Sequence, residues 1–276
     1  MELWFTEYQT PAIGFSCKST STLRTEKTAF QDLAVIETEQ FGRMLLLDGM
    51  VMTTEKDEFI YHEMISLVAC NSHPNPENVL IIGGGDGGTL REVVRHPAVK
   101  QGTLVEIDER VVQAARDFFP SISCALDHVK SKVLIEDGIK YVQENENCYD
   151  IVIVDSTDPV GPAIELFSKS FYANVYKLLR DDGMLVVQSD SPYYHPEVVR
   201  MAFNGIKDIF PLTKLYLANI PTYPSGLWSF TIGSKKHDPE QPCHTHQQGC
   251  RYYTNKLHEA AFQLPVLVKQ IIGNGE

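Results

Sequence analysis

The feature that most constrains this chain is an apolar run, Val79 to Ile82, that leads into a glycine cluster between Gly83 and Gly88. A buried strand, a tight glycine turn and a helix start are the parts of a nucleotide-binding βα unit. The helix start offers unpaired N–H groups, which favour anions. Asp86 is therefore unexpected inside this turn. Either Asp86 caps the helix, or the ligand carries a positive charge.

Beyond Lys56, segments with strand and helix periodicity alternate. Apolar strands separated by helices are typical of a parallel sheet covered on both faces. No helix is predicted between the last two strands, which favours an antiparallel hairpin at one edge. We therefore expect an α/β fold, with a Rossmann-like, methyltransferase-type seven-stranded sheet in a domain spanning 56–276. The predicted strands are 79–82, 103–107, 132–135, 151–154, 184–188, 214–219 and 227–232, and a final helix is predicted over 255–271.

Residues 1–55 have a different pattern. Short runs rich in Thr, Val, Ile and Leu are separated by glycines, and Asp48-Gly49 between apolar runs is a hairpin signal. This pattern predicts a small N-terminal antiparallel β domain. Its exposed strand edges would suit assembly of a homodimer or homotetramer.

Composition excludes some classes of partner. The formal net charge of -12 disfavours nucleic acid and anionic membranes and favours cationic small molecules. Without a basic, apolar leader we expect a cytoplasmic protein whose six cysteines are reduced. Zinc binding by Cys243, His244, His246 and Cys250 is an alternative that their tight spacing disfavours, so no metal site is predicted.

A carboxylate follows the end of each of the first five predicted strands of the large sheet. Ligands of such sheets bind outside the carboxyl ends of the strands, so these acids are expected to converge. The acids in question are Asp86, Glu106, Asp137, Asp155 with Asp158, and Asp190.

Three of these sites suggest particular chemistry. Glu106 lies about twenty residues beyond the glycine turn, where an acid binds a ribose diol. Asp137-Gly138 could recognise an adenine edge or could simply cap a helix. Asp155 and Asp158 could bind a cationic amine and remove a proton from it, although Asp158 before Pro159 also suits a plain turn.

The turn also fits the dinucleotide pattern G-x-G-x-x-G at Gly83, Gly85 and Gly88. Asp86 disfavours a pyrophosphate, because a buried carboxylate beside phosphates is costly. An adenosyl sulfonium avoids that conflict. If its tail ends in an amine, Asp86 gains an ion pair; if the tail also carries a carboxylate, Asp86 repels it.

At this point the chain resembles the spermidine synthase family of polyamine aminopropyltransferases over nearly its whole length. The resemblance rests on Gln31-Asp-Leu and on the segments 57–64, 83–88, 105–108, 155–162 and 221–226. It implies polyamine and spermidine biosynthesis by transfer of an aminopropyl group from decarboxylated S-adenosylmethionine to putrescine, which yields spermidine and methylthioadenosine. Decarboxylated S-adenosylmethionine would be a co-substrate, and no metal or redox cofactor is implied.

The resemblance also implies roles for individual residues. The nucleoside site would comprise Gln31, Glu106, Asp137, Gly138 and Pro162. Asp86 would hold the aminopropyl amine, and Asp155 would be the catalytic base. The putrescine channel would be lined by Tyr61, His62, Asp158 and Tyr223. Trp228 departs from the family pattern, in which a polar residue is common there, and it affects the far end of the amine pocket.

Three other functions remain open at the level of sequence. A putrescine N-methyltransferase would share the fold but would need a tail site that tolerates a carboxylate, which Asp86 disfavours. An NAD-dependent oxidoreductase would explain the glycine turn. A non-enzymatic polyamine-binding module would leave the nucleoside residues without a role. The length of the acceptor amine, from putrescine to cadaverine, agmatine or spermidine, is not encoded in any motif.

Overall fold

The computed structural model of the chain describes residues 2–157 and 161–273. In this part of the chain two sheets form, and the first contains five antiparallel strands in sequence order. They are β1 (Leu3–Thr10), β2 (Ile13–Lys27), β3 (Asp32–Thr38), β4 (Gly42–Leu47) and β5 (Met50–Thr54). The predicted small antiparallel sheet is confirmed, and the Asp48-Gly49 turn between β4 and β5 has positive φ at both residues, 50° and 79°. Strand β1 carried no clear signal in the sequence.

The second sheet has seven strands within the described residues, in the order β11-β12-β10-β9-β6-β7-β8. Five of these strands are parallel, and β12 runs antiparallel to both β10 and β11. The predicted methyltransferase-type sheet with an antiparallel edge is therefore confirmed. The strands are β6 (Asn78–Gly83), β7 (Gln101–Glu106), β8 (Ser131–Ile135), β9 (Tyr149–Asp155), β10 (Leu179–Gln188), β11 (Leu212–Asn219) and β12 (Leu227–Ser234).

Helices cover both faces of this sheet. On β6, Val79 and Ile81 face one apolar cluster, whereas Leu80 and Ile82 face another. A strand buried on both faces needs apolar residues at every position, which explains the continuous run in the sequence. The helices are α1 (Glu58–Ser72), α2 (Gly88–Arg95), α3 (Glu109–Phe118), α4 (Gly138–Glu144), α5 (Lys169–Leu178) and α6 (Pro196–Lys207), followed by α7 (Asn255–Ala261) and α8 (Val266–Ile271).

The last helix was predicted as one segment over 255–271, and this prediction is wrong. The structure ends α7 at Ala261 and starts α8 at Val266, with Pro265 at the N-cap of α8. Proline has no N–H and disfavours helical geometry in the residue before it, so a continuous helix cannot pass this point.

Strand order reverses between β6 and β9. From β6 the chain builds outward to β7 and β8, and it then returns to place β9 on the other side. Gly83 at the end of β6 is paired in register with Asp155 at the end of β9. Ligands bind at such a switch point, outside the carboxyl ends of the strands. The fold therefore puts the glycine turn and Asp155 at the position where a ligand site is expected.

Candidate active site

The glycine turn admits the Asp155 carboxylate because Gly84 has no side chain. Gly84 has φ of +66°, and a Cβ built on it would lie 2.6 Å from Asp155 Oδ2. An alanine at this position would be strained by its backbone angle and would also collide with the carboxylate. The turn and the end of β9 are therefore in direct contact.

Two hydroxyl groups hold Asp155 from opposite sides. Tyr61 on α1 donates to Oδ1 at 2.8 Å, and Thr89 at the start of α2 donates to Oδ2 at 2.6 Å. Burial raises the pKa of Asp155, and the nearby charge of Asp86 raises it further, while His62, Thr89 and Tyr61 oppose the rise. A desolvated carboxylate with a raised pKa and a fixed orientation is suited to accept a proton.

Asp86 lies in the turn as predicted and is held from two sides. Its Oδ1 accepts a hydrogen bond from the backbone N–H of Gly88 at 2.8 Å, and its Oδ2 lies 3.3 Å from His62 Nε2. The N-cap of α2 is Gly87 rather than Asp86, although the Asp86 carboxylate accepts from the first N–H group of the helix. The same carboxylate raises the pKa of Asp155, so Asp86 contacts the start of α2 and also belongs to the acidic site.

His62 is buried beneath the turn, at 2 % exposure. Its Nδ1 lies 2.6 Å from Glu58 Oε2, so both ring nitrogens face carboxylates. Burial disfavours the charged ring, but Asp86 and Glu58 outweigh it and raise the pKa of His62 to about 10. The predicted contact of His62 with an acceptor amine stays a prediction, since the ring stands behind Asp86.

Glu106 closes the other side of the turn. It is buried, and its Oε2 accepts from Gly85 N at 3.2 Å while its Oε1 accepts from Asp108 N at 2.9 Å. Burial raises the pKa of Glu106 to about 7 despite these hydrogen bonds. Glu106, Asp86 and Asp155 thus surround one glycine turn, as the strand-end pattern predicted.

The remaining predicted nucleoside residues lie around this core. Gln31, in the loop between β2 and β3, donates to Oδ2 of Asp108, which lies two residues beyond the end of β7, at 3.0 Å. Asp137 is the N-cap of α4, and its Oδ1 accepts from Ile139 N and Lys140 N. Gly138 is buried, and a Cβ there would meet Ile82 at 2.5 Å.

Two of the predicted site residues, Asp158 and Pro162, belong to the segment that follows β9. Asp158 lies outside the described residues, so its predicted contact with the acceptor amine stays a prediction. Pro162 belongs to a short 3₁₀ helix, Gly161–Phe167, and its predicted place in the nucleoside site likewise stays a prediction.

Tyr223 links the two sheets beside the acidic site. Its hydroxyl donates to Met52 O at 2.6 Å, and its ring lies 5.7 Å from Tyr61 and 4.7 Å from Trp228, centroid to centroid. Trp228 is 5 % exposed, and its Nε1 has no hydrogen-bond partner among the described residues. Trp228, the residue that departs from the family pattern, therefore packs against Tyr223.

A small cavity adjoins these aromatic rings. Its volume is about 10 Å³, which is room for about one water molecule. The lining includes Tyr61, His62 and Tyr223, together with Asp57 and Glu58. The described structure therefore leaves a small space beside the rings of Tyr61 and Tyr223.

Four contributors to the site were missed by the sequence analysis. Thr89 touches Asp155, Glu58 and Arg91 stand behind His62, and Asp57 accepts hydrogen bonds from Thr222. Glu58 could have been found, since it precedes His62 by four residues on a predicted helix. The other three act across elements that are distant in the sequence.

The segment considered for zinc gives no metal centre. Cys243 Sγ donates to Asn71 O at 3.2 Å, and His244 Nε2 lies 3.0 Å from Pro74 O. Across residues 2–157 and 161–273, no group of three or more His, Cys, Asp or Glu side chains could hold a metal ion. In the same ranges, no helix is long and apolar enough to cross a bilayer.

The sheet order, with the glycine turn and the acids around it, defines a methyltransferase-like fold that has an acidic site at the switch point of the sheet. Comparison with known proteins narrows this class. Residues 58–243 match the spermine/spermidine synthase domain, and residues 3–55 match the spermidine synthase tetramerisation domain. The chain therefore belongs to the spermine/spermidine synthase family and is a transferase.

Curated relatives and solved structures agree with this assignment. A Bacillus cereus polyamine aminopropyltransferase 1 is 56% identical over 99% of this chain and 100% of its own. A polyamine aminopropyltransferase of Caldicellulosiruptor saccharolyticus is 55% identical over 99% of each chain. A spermidine synthase solved with the transition-state analogue AdoDATO superposes with a TM-score of 0.95 and 40% identity, covering 98% of this chain and 95% of that one. The Thermotoga maritima spermidine synthase gives 0.94 and 39%, covering 98% and 94%.

Proposed function

We propose that this site transfers the aminopropyl group of decarboxylated S-adenosylmethionine to putrescine, giving spermidine and methylthioadenosine. The observation that carries the proposal is the meeting of Asp86 and Asp155 at the β6/β9 switch point, with Glu106 on the other side of the same turn. Paired acids suit a donor with a sulfonium and an amine, and Glu106 suits its ribose. The donor is a co-substrate, and the proposal includes no metal or redox cofactor.

In the proposed complex Glu106 binds the ribose hydroxyls, and Gln31, Asp137, Gly138 and Pro162 surround the nucleoside. Asp137 caps α4 through Oδ1 in both of its backbone hydrogen bonds, so adenine recognition would use the rest of the side chain and the neighbouring backbone. Asp86 binds the amine at the end of the donor tail. A tail with an additional carboxylate would meet the same buried negative charge and be rejected.

Asp155 acts as the base in this mechanism. Putrescine arrives with protonated amines, and its attacking nitrogen must lose a proton to become nucleophilic. Asp155 accepts that proton; the nitrogen bonds to the aminopropyl carbon, and the carbon–sulfur bond breaks with its electron pair going to sulfur. The product sulfur is a neutral thioether, so the leaving group needs no acid. Fixed positions of both reactants supply much of the rate enhancement.

The acceptor would lie along Tyr61, Tyr223 and Asp158, with His62 acting beside them. Putrescine keeps one ammonium group while the other reacts, and acidic side chains would orient it. Trp228 behind Tyr223 would set the depth of the pocket. A panel of putrescine, cadaverine, agmatine and spermidine as acceptors measures that depth directly.

The decisive experiment supplies either decarboxylated or ordinary S-adenosylmethionine with putrescine and measures the nucleoside released. Methylthioadenosine from the decarboxylated donor alone is the expected result. S-adenosylhomocysteine from the ordinary donor would instead identify an N-methyltransferase. Asp86→Asn is expected to reduce the discrimination between the two donors; unaltered discrimination would contradict the role given to Asp86.

The base is tested by Asp155→Asn. Turnover should fall by about 10²–10⁴-fold, the usual contribution of a general base, while donor affinity stays within a few fold. Asp150→Asn is a matched control on the same strand, because Asp150 is buried but pairs with Asn78 N and Arg180, at the other end of β9. Equal turnover in the Asp155 variant and the control would refute the assignment.

We further propose that residues 1–55 and 56–276 are separate domains and that the first mediates assembly into a homodimer or homotetramer. Leu3, Trp4, Tyr8 and Ile13 on β1 and β2 are 44–76% exposed, which is unusual for large apolar side chains on neighbouring strands. Sedimentation velocity of the wild type and of Trp4→Glu would test this. A monomeric wild-type protein would exclude it.

A further inference from the structure

An alternating series of buried charges runs from the site into the protein. Asp86 faces His62, His62 faces Glu58, and Glu58 forms a two-point ion pair with Arg91 at 2.8 and 3.1 Å. Arg91 is 9 % exposed, and its Nε also contacts Glu92 at 2.8 Å. The series connects α1, the glycine turn and α2, and of its members only Asp86 and His62 had a role in the proposed reaction.

This series matters because two neighbouring carboxylates cannot easily both carry charge. Asp86 raises the pKa of Asp155, and burial adds to the effect. The cationic donor would relieve this repulsion, but only after it has bound. Before binding, a protonated His62 is a cation that acts on Asp155 from within the protein, and its charge lowers the pKa of Asp155. A base that must accept a proton requires such a fixed counter-charge in the free enzyme.

The ring of His62 is fixed for this task and has little room to move. Each nitrogen faces a carboxylate, and the backbone of Gly88 lies so close to the ring that a Cβ on residue 88 would overlap Cε1. Glu58 in turn stays charged, since burial is outweighed by His62 and Arg91, which lower the pKa of Glu58 to about 2. The bidentate geometry of Arg91 is one that a lysine cannot reproduce.

We propose that Glu58 and Arg91 are positioning residues for the reaction: they hold His62 as an imidazolium against Asp86 and so supply the counter-charge that Asp86 and Asp155 share before the donor binds. Neither residue needs to touch a substrate. The inference rests on the proposed function, because it assumes that Asp155 must be unprotonated in the free enzyme.

The charged and titratable groups around His62 and Asp155 come from several elements of the described residues. Strand β9 contributes Asp155 itself, and Tyr223 lies beside Tyr61. Helix α1 contributes Glu58, Tyr61 and His62; the glycine turn contributes Asp86; and α2 contributes Arg91, with Glu92 behind it. Loss of the charge at Glu58 leaves Arg91 facing His62, which disfavours the imidazolium. Asp155 then keeps its proton to a higher pH.

The first test needs only the wild-type protein. Nitrogen-15 NMR of isotope-labelled enzyme, with the His62 ring assigned through bonds from its backbone resonances, reports the protonation state of the ring between pH 6 and 9. We expect His62 to stay protonated on both nitrogens over this range. A neutral His62 ring at pH 7 would overturn the proposal whether or not any variant folds.

The second test uses the pH profile of kcat/KM for the decarboxylated donor. In Glu58→Gln, the acidic limb should move up by about one pH unit, which corresponds to a roughly tenfold loss on that limb. Arg91→Gln removes the ion pair that fixes Glu58 but also removes a positive charge near His62, so its limb should shift less than that of Glu58→Gln, and Arg91→Lys should lie closer to the wild type. Arg95→Gln is the matched control: Arg95 is also on α2 and pairs with Glu92, but it has no contact with Glu58 in the described structure, so its profile should be unchanged.

The outcomes separate this inference from the proposed function. If the wild-type enzyme releases no methylthioadenosine, the proposed function fails. If it does, but Glu58→Gln and Arg95→Gln have the same acidic limb as the wild type, the positioning role fails while the aminopropyl transfer stands. A loss of stability without a shift of the limb would likewise show that the ion pair is only structural.

Discussion

The hydroxyl of Tyr61 lies 2.8 Å from Oδ1 of Asp155 and donates a hydrogen bond to it, while the hydroxyl of Thr89 occupies Oδ2. Burial and the charge of Asp86 raise the pKa of Asp155, and these two hydrogen bonds oppose the rise. Burial and Asp86 thus favour the protonated form of Asp155, whereas the hydroxyl groups of Tyr61 and Thr89 favour its charged form. Removing either hydroxyl group should shift this balance.

Tyr61→Phe removes the hydroxyl group that donates to Asp155 and keeps the aromatic ring. A hydrogen bond to a charged group is worth about 1.5–3 kcal/mol, so the pKa of Asp155 should rise by about one unit or more. Because Asp155 must be unprotonated to act, the acidic limb of kcat/KM should move to higher pH by the same amount. Tyr172→Phe is the control, since the buried Tyr172 hydroxyl has no partner among the described residues. An unshifted limb in Tyr61→Phe would contradict the role of this hydrogen bond.

The raised pKa of Glu106 leads us to expect that nucleoside binding depends on pH. Its pKa is raised to about 7 by burial, and a ribose diol donates to the ionised form. Affinity for methylthioadenosine, which lacks the amine tail, should therefore weaken as pH falls below about 7. Calorimetry should show Glu106→Gln binding about 30-fold more weakly, for a loss of about 2 kcal/mol, and without this pH dependence. Glu136→Gln, an exposed acid after β8, is the control; a pH-independent wild type would refute the prediction.

The sequence predicted those site residues that directly follow the ends of parallel strands. Asp86, Glu106 and Asp155 were predicted because parallel strands bring their carboxyl ends to one edge, and the structure brings all three to the glycine turn. Thr89 and Arg91 could not be found this way. Thr89 contacts Asp155 because α2 starts beside the end of β9, and Arg91 pairs with Glu58 because α2 packs on α1. No spacing along the chain encodes either contact.

The carboxylate of Asp57 connects β5 of the first sheet to the loop between β11 and β12, and its removal should therefore destabilise the protein. Its carboxylate is buried and accepts from Thr54 Oγ1 at 2.6 Å and from the N and Oγ1 of Thr222 at 2.9 and 2.7 Å. Asp57→Ala leaves these buried donors without a partner, so the free energy of unfolding should fall by about 2–4 kcal/mol. Urea unfolding at fixed protein concentration measures this loss. Asp127→Ala, which breaks an exposed ion pair with Arg116, should lower the free energy of unfolding much less than Asp57→Ala; equal losses would contradict the prediction.

The last prediction concerns Gly84 in the glycine turn, and Gly49 serves as the matched control. Gly84 and Gly49 both have positive φ, +66° and +79°, but a Cβ on Gly49 meets nothing within 4 Å, whereas one on Gly84 lies 2.6 Å from Asp155 Oδ2. Gly49→Ala should therefore show only the backbone cost of about 1–2 kcal/mol, with activity intact. Gly84→Ala should have the same backbone cost and should also displace Asp155, the proposed base. We therefore expect kcat to fall by at least about 100-fold. Thermal unfolding and single-turnover rates separate the two effects. If both variants lost stability alike and kept full turnover, close approach of Asp155 to the turn would not be a requirement of catalysis, and the glycine at residue 84 would serve the backbone alone.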